Sequence, residues 1–331
     1  LIRNFKTSPL SVTKEEDTDV SKHLAFVFPG QGSQKVGMLA ELAELYPVVE
    51  ETFAQASAVL GYDLWQLIQN GPQEELNLTE RTQPMLLTAS VAIWRIWEQK
   101  GGPQPALMAG HSLGEWSALV CSGVVAFEDA VKLVQLRGKY MQQAVPAGVG
   151  AMAAIIGLED DAINAACEQA AGDEVVAAVN FNSPGQVVIA GHAGAVERAI
   201  VGCKEAGAKR ALPLPVSAPF HTSLMRPAAD NLAEQILATP FSAPTIPVVH
   251  NVNAQTESDP EKIKALMIEQ IYTPVLWVDC TQTLVKSGAT TLVECGPGKV
   301  LSGLCRRIEK TLAALATETP AELDKALAEA V

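Results

Sequence analysis

The sequence predicts an α/β fold in two parts: a large α/β-hydrolase-like domain with a mostly parallel sheet, and a small ferredoxin-like α+β domain inserted into it. Two patterns carry that reading. In Ala106-Leu107-Met108-Ala109-Gly110-His111-Ser112-Leu113-Gly114-Glu115 an apolar run enters a Gly-x-Ser-x-Gly turn, and a helix-compatible stretch, 115–121, leaves it. This is the strand, turn and helix context that a nucleophile elbow needs. After Gly150 the order β-α-β-β-α-β follows within about 70 residues, the split arrangement of a small two-layer domain. The domains implied are 23–148 with 218–331 for the large one and 149–217 for the small one.

Taken in order, residues 1–22 are polar and charged with no apolar signal-peptide core. They read as a disordered or non-native tail outside the fold. Residues 24–28, Leu-Ala-Phe-Val-Phe, form a first buried strand, stopped by Pro29-Gly30-Gln31-Gly32-Ser33-Gln34. A phosphate-binding reading of that loop fails, because Lys35 stands where a dinucleotide fingerprint wants a small residue and no Gly-Lys-Ser/Thr follows. The alternative is a loop whose backbone N–H groups face the elbow and supply the second oxyanion donor. Residues 39–101 are helical by spacing, with Leu87, Val91, Trp94 and Trp97 as core positions.

After the elbow, residues 126–144 carry an apolar stripe through Ala130, Val134, Met141 and Ala144, and Arg137 falls on it. No acidic residue stands three or four positions away, so the partner of this desolvated guanidinium is a carboxylate from elsewhere in the fold or from a ligand. The small domain reads as a strand at 151–157, a helix at 160–171, strands at 175–179 and 186–190, a helix at 194–207 and a strand at 211–216. Asn180-Phe181-Asn182-Ser183-Pro184-Gly185 is its connecting loop. The large domain resumes with the non-repetitive Ser217-Ala218-Pro219-Phe220-His221, a helix at 222–238, and strands at 247–250 and 291–294. An amphipathic stretch at 300–316 closes it, with Arg306, Arg307 and Lys310 off the apolar stripe.

Composition narrows the function classes. The chain has 331 residues, 48% hydrophobic and 18% charged, enough for a large buried core. Its formal charge of -13 argues against nucleic acid or an anionic membrane as a general partner. No window reaches the length of a membrane span. Six scattered cysteines form no Cys-x-x-Cys pair, so neither a metal site nor a disulfide framework is indicated, and a cytoplasmic location fits.

A serine hydroxyl is a weak nucleophile and needs a base within hydrogen-bond reach. Ser112 would stand at the start of the following helix, where the N–H of Leu113 and the helix end favour a developing oxyanion. Among five histidines, His221 lies in a Pro-containing loop late in the chain, the position elbow-type sheets give their base. His250 ends an apolar strand and is the runner-up. An esterase or thioesterase built on the same elbow is the competing enzyme class. A binding module with a vestigial elbow is the non-catalytic one.

Six strings, taken together and in order, resemble the malonyl-CoA:acyl-carrier-protein transacylase family. They are Phe28-Pro29-Gly30-Gln31-Gly32-Ser33-Gln34, Gly110-His111-Ser112-Leu113-Gly114-Glu115, Leu136-Arg137-Gly138, Asn180-x-Asn182-Ser183-Pro184-Gly185-Gln186, Ser217-x-Pro219-Phe220-His221 and Gly296-Pro297-Gly298-Lys299-Val300-Leu301. The resemblance implies Ser112 as nucleophile, His221 as base, Gln31 and Leu113 as oxyanion donors, and Arg137 as clamp on a malonyl carboxylate. It further implies that the main-chain carbonyl of Gln270 orients His221, that Gln83 and Asn182 line the pocket, and that Phe220 marks the malonyl-selecting form of its loop. Malonyl-CoA and CoA would be substrate and product with no resident cofactor or metal, and acyl carrier protein the transient partner of a monomer. Arg306, Arg307 and Lys310 are the candidate docking patch for that acidic partner. The stretch 1–22 has no counterpart in the family pattern.

Overall fold

Every residue from Leu24 to Phe28 is buried, as a strand covered on both faces requires. The computed structural model describes residues 20–330 and sets this run at the middle of a parallel sheet. The strands are β1 (Val20–Phe28), β2 (Gln104–Gly110), β3 (Gly150–Ile156), β4 (Val176–Ser183), β5 (Gln186–His192), β6 (Arg210–Pro213), β7 (Val248–Val249), β8 (Thr291–Glu294) and β9 (Ala313–Ala316). The larger sheet has the order β7-β2-β1-β8-β9 and is parallel at every pairing. Side chains of β1 alternate between its faces. Leu24, Phe26 and Phe28 join the principal core, while Ala25 and Val27 pack with Trp277, Leu284, Leu301 and Cys305 on the other side. On the principal face, Phe26 meets Trp94 and Trp97 of the helix Thr79–Gln99 edge-on, with ring centroids 5.3 and 5.0 Å apart.

Parallel strands end at one edge, and ligands in such sheets bind beyond the strands' carboxyl ends. Phe28 lies opposite Gly110 in register. The turns that follow β1, β2 and β7 therefore bring Gln31, Ser112 and the pair His250 and Asn251 to the same edge. The helix Phe127–Gln143 packs on Thr79–Gln99 with almost no gap at Gly138, where an added Cβ would stand 2.5 Å from the carbonyl oxygen of Thr79. That close approach lets Arg137 on one helix reach Gln83 on the other.

The smaller sheet has the order β4-β5-β3-β6 and is antiparallel throughout. Its chain path is β3, helix Asp160–Ala171, β4, β5, helix Ala193–Glu205, β6. The chain as a whole is mixed α/β, with a parallel sheet and a separate antiparallel one. No helix among the described residues is long and apolar enough to cross a membrane.

Three local expectations change. The segment 180–183 is not loop but the end of β4, because it pairs with β5 and Phe181 N–H donates to the Val275 carbonyl; only Pro184 and Gly185 turn. The stretch 300–316 is not one helix. The helix Val300–Ile308 stops where Glu309 accepts from Thr311, and Ala313–Ala316 extends the parallel sheet beside β8, so ladder pairing overrides the helical propensity of alanine. The stretch 1–22 lies outside the described residues as far as residue 19, and β1 begins at Val20, where it pairs with Gln104.

Candidate active site

Ser112 sits between β2 and the helix Leu113–Cys121 with φ 50 and ψ -107, a conformation L residues rarely adopt. The flanking glycines make the turn possible. A Cβ on Gly110 would fall 2.0 Å from the Gly114 carbonyl, and one on Gly114 would fall 2.0 Å from the carbonyl oxygen of Phe28. The hydroxyl of Ser112 lies 2.8 Å from Nε2 of His221, and Nδ1 of His221 lies 2.9 Å from the main-chain carbonyl of Gln270. A carbonyl accepts only, so the ring proton is on Nδ1 and Nε2 is free to accept from Ser112. Burial, and then the nearby Arg137 cation, lower the His221 pKa to about 3, which keeps the ring neutral at ordinary pH. His250 instead bonds Glu115, His111 bonds Asn182, and His192 accepts from the Val175 N–H. His23 reaches only the Gly288 carbonyl.

Arg137 is 1% exposed, yet among the described residues no carboxylate pairs with it. One terminal nitrogen donates to Oε1 of Gln83 at 2.8 Å. The other donates to Oε1 of Gln270 at 2.9 Å and to the Ser112 hydroxyl at 3.1 Å. Its Nε has no acceptor. Burial lowers its pKa to about 10, with Glu115 opposing, so the charge persists at neutral pH. Ser112, Arg137, His221, Gln83, Gln31, Leu113 and Phe220 all line one cavity of about 130 Å³. Among the described residues neither Gln31 N–H nor Leu113 N–H meets an acceptor, while the N–H of Ser112 itself is taken by Asn251. Two free donors thus border the space next to the Ser112 hydroxyl. No cluster of His, Cys, Asp or Glu that could hold a metal occurs among the described residues.

The acyl transferase domain family matches residues 25–322. A malonyl CoA-acyl carrier protein transacylase of Salmonella typhimurium is 63% identical over 303 residues, covering 92% of this chain and 98% of that protein. The enzyme of that name from Bacillus subtilis is 44% identical over 92% of this chain and 96% of its own. Among solved structures, an acyl carrier protein S-malonyltransferase from Vibrio cholerae superposes with a TM-score of 0.90 at 64% identity, over 92% of this chain and 99% of the other. A malonyl-transacylase in complex with its type II PKS acyl-carrier protein gives a TM-score of 0.92 at 57% identity, over 93% and 99%. The chain belongs to the malonyl CoA-acyl carrier protein transacylase family.

In this family member not every residue singled out by sequence reaches the cavity. Asn182 bonds Nε2 of His111 at 2.7 Å through its side-chain oxygen, and it is Asn180, two residues earlier on β4, that lines the pocket. Arg306 donates to the Ala314 carbonyl and Arg307 to the side chain of Gln186 on β5. Both are exposed, as is Lys310, on the helix Val300–Ile308 and the turn after it. Sequence reasoning missed Asn251 altogether and gave Glu115 no role. Asn251 accepts from Ser112 N–H at 2.8 Å and donates to the Gly110 carbonyl at 2.7 Å. Glu115, inside the recognised string, was the available signal, since a carboxylate on the buried face of the elbow helix demands partners.

Proposed function

We propose that this protein moves a malonyl group from malonyl-CoA to the phosphopantetheine thiol of acyl carrier protein through a malonyl-serine ester. The observation that carries this reading is Arg137, a buried guanidinium without a carboxylate partner, 3.1 Å from the nucleophilic hydroxyl. Its missing partner is the malonyl carboxylate. The relatives' names support the same substrate, and the solved complex with an acyl-carrier protein supports the same partner.

The geometry supports the following steps. Neutral His221 takes the Ser112 proton on Nε2 as the oxygen attacks the thioester carbonyl, and the N–H groups of Gln31 and Leu113 receive the oxyanion. Collapse of the tetrahedral species breaks the C–S bond, and the His221 proton leaves with the sulfur as CoA-SH. In the second half, the phosphopantetheine thiol gives its proton to His221 and attacks the ester, returning Ser112 to the hydroxyl. Gln270 holds the His221 tautomer throughout, Gln83 and Phe220 shape the acyl pocket with Asn180, and no resident cofactor takes part. Asn182 serves through His111 and not by touching the acyl group.

The same reading makes 149–217 a ferredoxin-like insertion in an α/β-hydrolase-like domain formed by 23–148 and 218–331. The carrier docks on Arg306, Arg307 and Lys310, and the enzyme works as a cytoplasmic monomer. A serine esterase or thioesterase would share the elbow but would gain nothing from a buried, unpaired Arg137. Intact mass spectrometry after mixing with malonyl-CoA tests the choice. A stable malonyl adduct that disappears on adding holo acyl carrier protein supports transfer; rapid release of free malonate without an acceptor supports the hydrolase.

A further inference from the structure

The strained conformation of Ser112 is held by two side-chain amides. Asn251 spans the turn, accepting from Ser112 N–H and donating to the Gly110 carbonyl. Gln270 donates from Nε2 to the Ser112 carbonyl at 3.0 Å while its Oε1 faces Arg137. Each amide serves only in one orientation, because an end-for-end flip would set donor against donor. One group bonds both residues. Oε2 of Glu115 accepts from Gln270 Nε2 at 2.7 Å and from the main-chain N–H of Asn251 at 3.2 Å. Oε1 of Glu115 is bonded to Nδ1 of His250 at 2.6 Å. Glu115, His250, Asn251 and Gln270 are all at most 1% exposed. Oε2 of Glu115 accepts from Gln270, so it dictates which end of Gln270 turns toward it and therefore which end meets Arg137.

We propose that Glu115 is a positioning residue for acyl transfer, acting through Asn251 and Gln270 to hold Ser112, His221 and Arg137 in one reactive arrangement. This rests on the transfer reading above. Its bonds distinguish it from Glu294, an equally buried carboxylate whose partners are Leu301 N–H and the N–H and hydroxyl of Ser302, at the start of the helix Val300–Ile308. Glu294 secures a helix end; Glu115 secures the groups that touch the nucleophile.

The test compares Glu115→Gln with Glu294→Gln in the full chain. Two rates are read per folded molecule: single-turnover formation of malonyl-serine, and labelling of Ser112 by a fluorophosphonate, which has no malonyl carboxylate. Affinity for malonyl-CoA is read separately with Ser112→Ala in both backgrounds. Misplacement by about 1 Å costs on the order of 100-fold, so Glu115→Gln is expected to lower both rates by about 10- to 100-fold with affinity changed less than about twofold. Glu294→Gln is expected to lower thermal stability and leave both rates unchanged. The proposal is overturned if Glu115→Gln keeps both rates, or loses affinity with the rates intact. Should Glu115→Gln not fold, Asn251→Ala removes the clamp directly and is read by the same outcomes. Failure of the transfer reading looks different: the wild-type chain would take the fluorophosphonate yet form no malonyl adduct.

Discussion

Gln270 holds His221 with its main chain and Arg137 with its side chain, at 2.9 Å in each case. The imidazole and the guanidinium are thereby referred to one residue, and a charge arriving at Arg137 is felt at His221. Burial and the Arg137 cation together lower the His221 pKa to about 3. A base is competent when neutral, so kcat/KM for malonyl-serine formation should stay level from about pH 8 to pH 5 and fall only in stronger acid. With malonyl-CoA bound, its carboxylate cancels part of the Arg137 repulsion, so the acid limb of kcat should lie at higher pH than that of kcat/KM. Stopped-quench pH profiles decide this; an inflection in kcat/KM near 6.5 would mean that His221 titrates as an ordinary histidine.

Arg137→Ala removes the fork that meets the carboxylate and leaves Gln83 and Gln270 without their donor. Losing a buried, charge-assisted contact of this kind costs about 3 kcal/mol, roughly 100-fold in kcat/KM for malonyl-CoA. Acetyl-CoA has no carboxylate to lose, so the malonyl-to-acetyl preference should fall by a similar factor. Arg137→Lys keeps a charge without the planar fork and should recover only part of the preference. Competition assays with the two thioesters measure it, and an unchanged preference in Arg137→Ala would assign the guanidinium to structure.

The elbow glycines predict a contrast in stability. Gly114→Ala drives a Cβ to 2.0 Å from the Phe28 carbonyl oxygen, a backbone atom of the central strand that cannot yield cheaply. A loss of about 3 kcal/mol or more, or failure to fold, is expected. At Gly61 an added Cβ meets nothing within 4 Å, and only the left-handed backbone, φ 79 with ψ 15, opposes it, so Gly61→Ala should cost about 1 kcal/mol. Urea midpoints of the two variants give the comparison.

What the sequence made legible was whatever is periodic or local. The alternating faces of β1, the strand and helix around Ser112, and a guanidinium on an apolar stripe all follow from spacing within a few residues. The rest depends on contacts between distant segments. Asn251 lies 139 residues from Ser112 and meets it only because β7 pairs with β2. Nothing near Asn251 in sequence says so. Asn180 and Asn182 share a strand, and irregular pairing along β4, with shifts between Ala178 and Asn180 and between Phe181 and Ser183, decides which one reaches the cavity. Ala313–Ala316 has the composition of a helix and becomes a strand because the edge of β8 is open to it.

The proposed docking patch predicts a difference between the two half-reactions. The chain bears a formal charge of -13, so an acidic carrier must meet a local basic patch, and such a patch acts chiefly on association. Arg306 and Arg307 stand in the last turn of the helix Val300–Ile308, and Arg307 reaches across to Gln186 on β5. Reversing both charges, Arg306→Glu with Arg307→Glu, leaves the Ser112 cavity untouched. Malonyl-serine should form at the wild-type rate, while transfer to acyl carrier protein slows by about tenfold or more and loses its dependence on salt. Transfer to free pantetheine, which carries no acidic surface, should be unaffected. Quench-flow on the preformed malonyl-enzyme reads the second step alone, and an equal loss with pantetheine and with the carrier would place the effect in the cavity and not at the docking face.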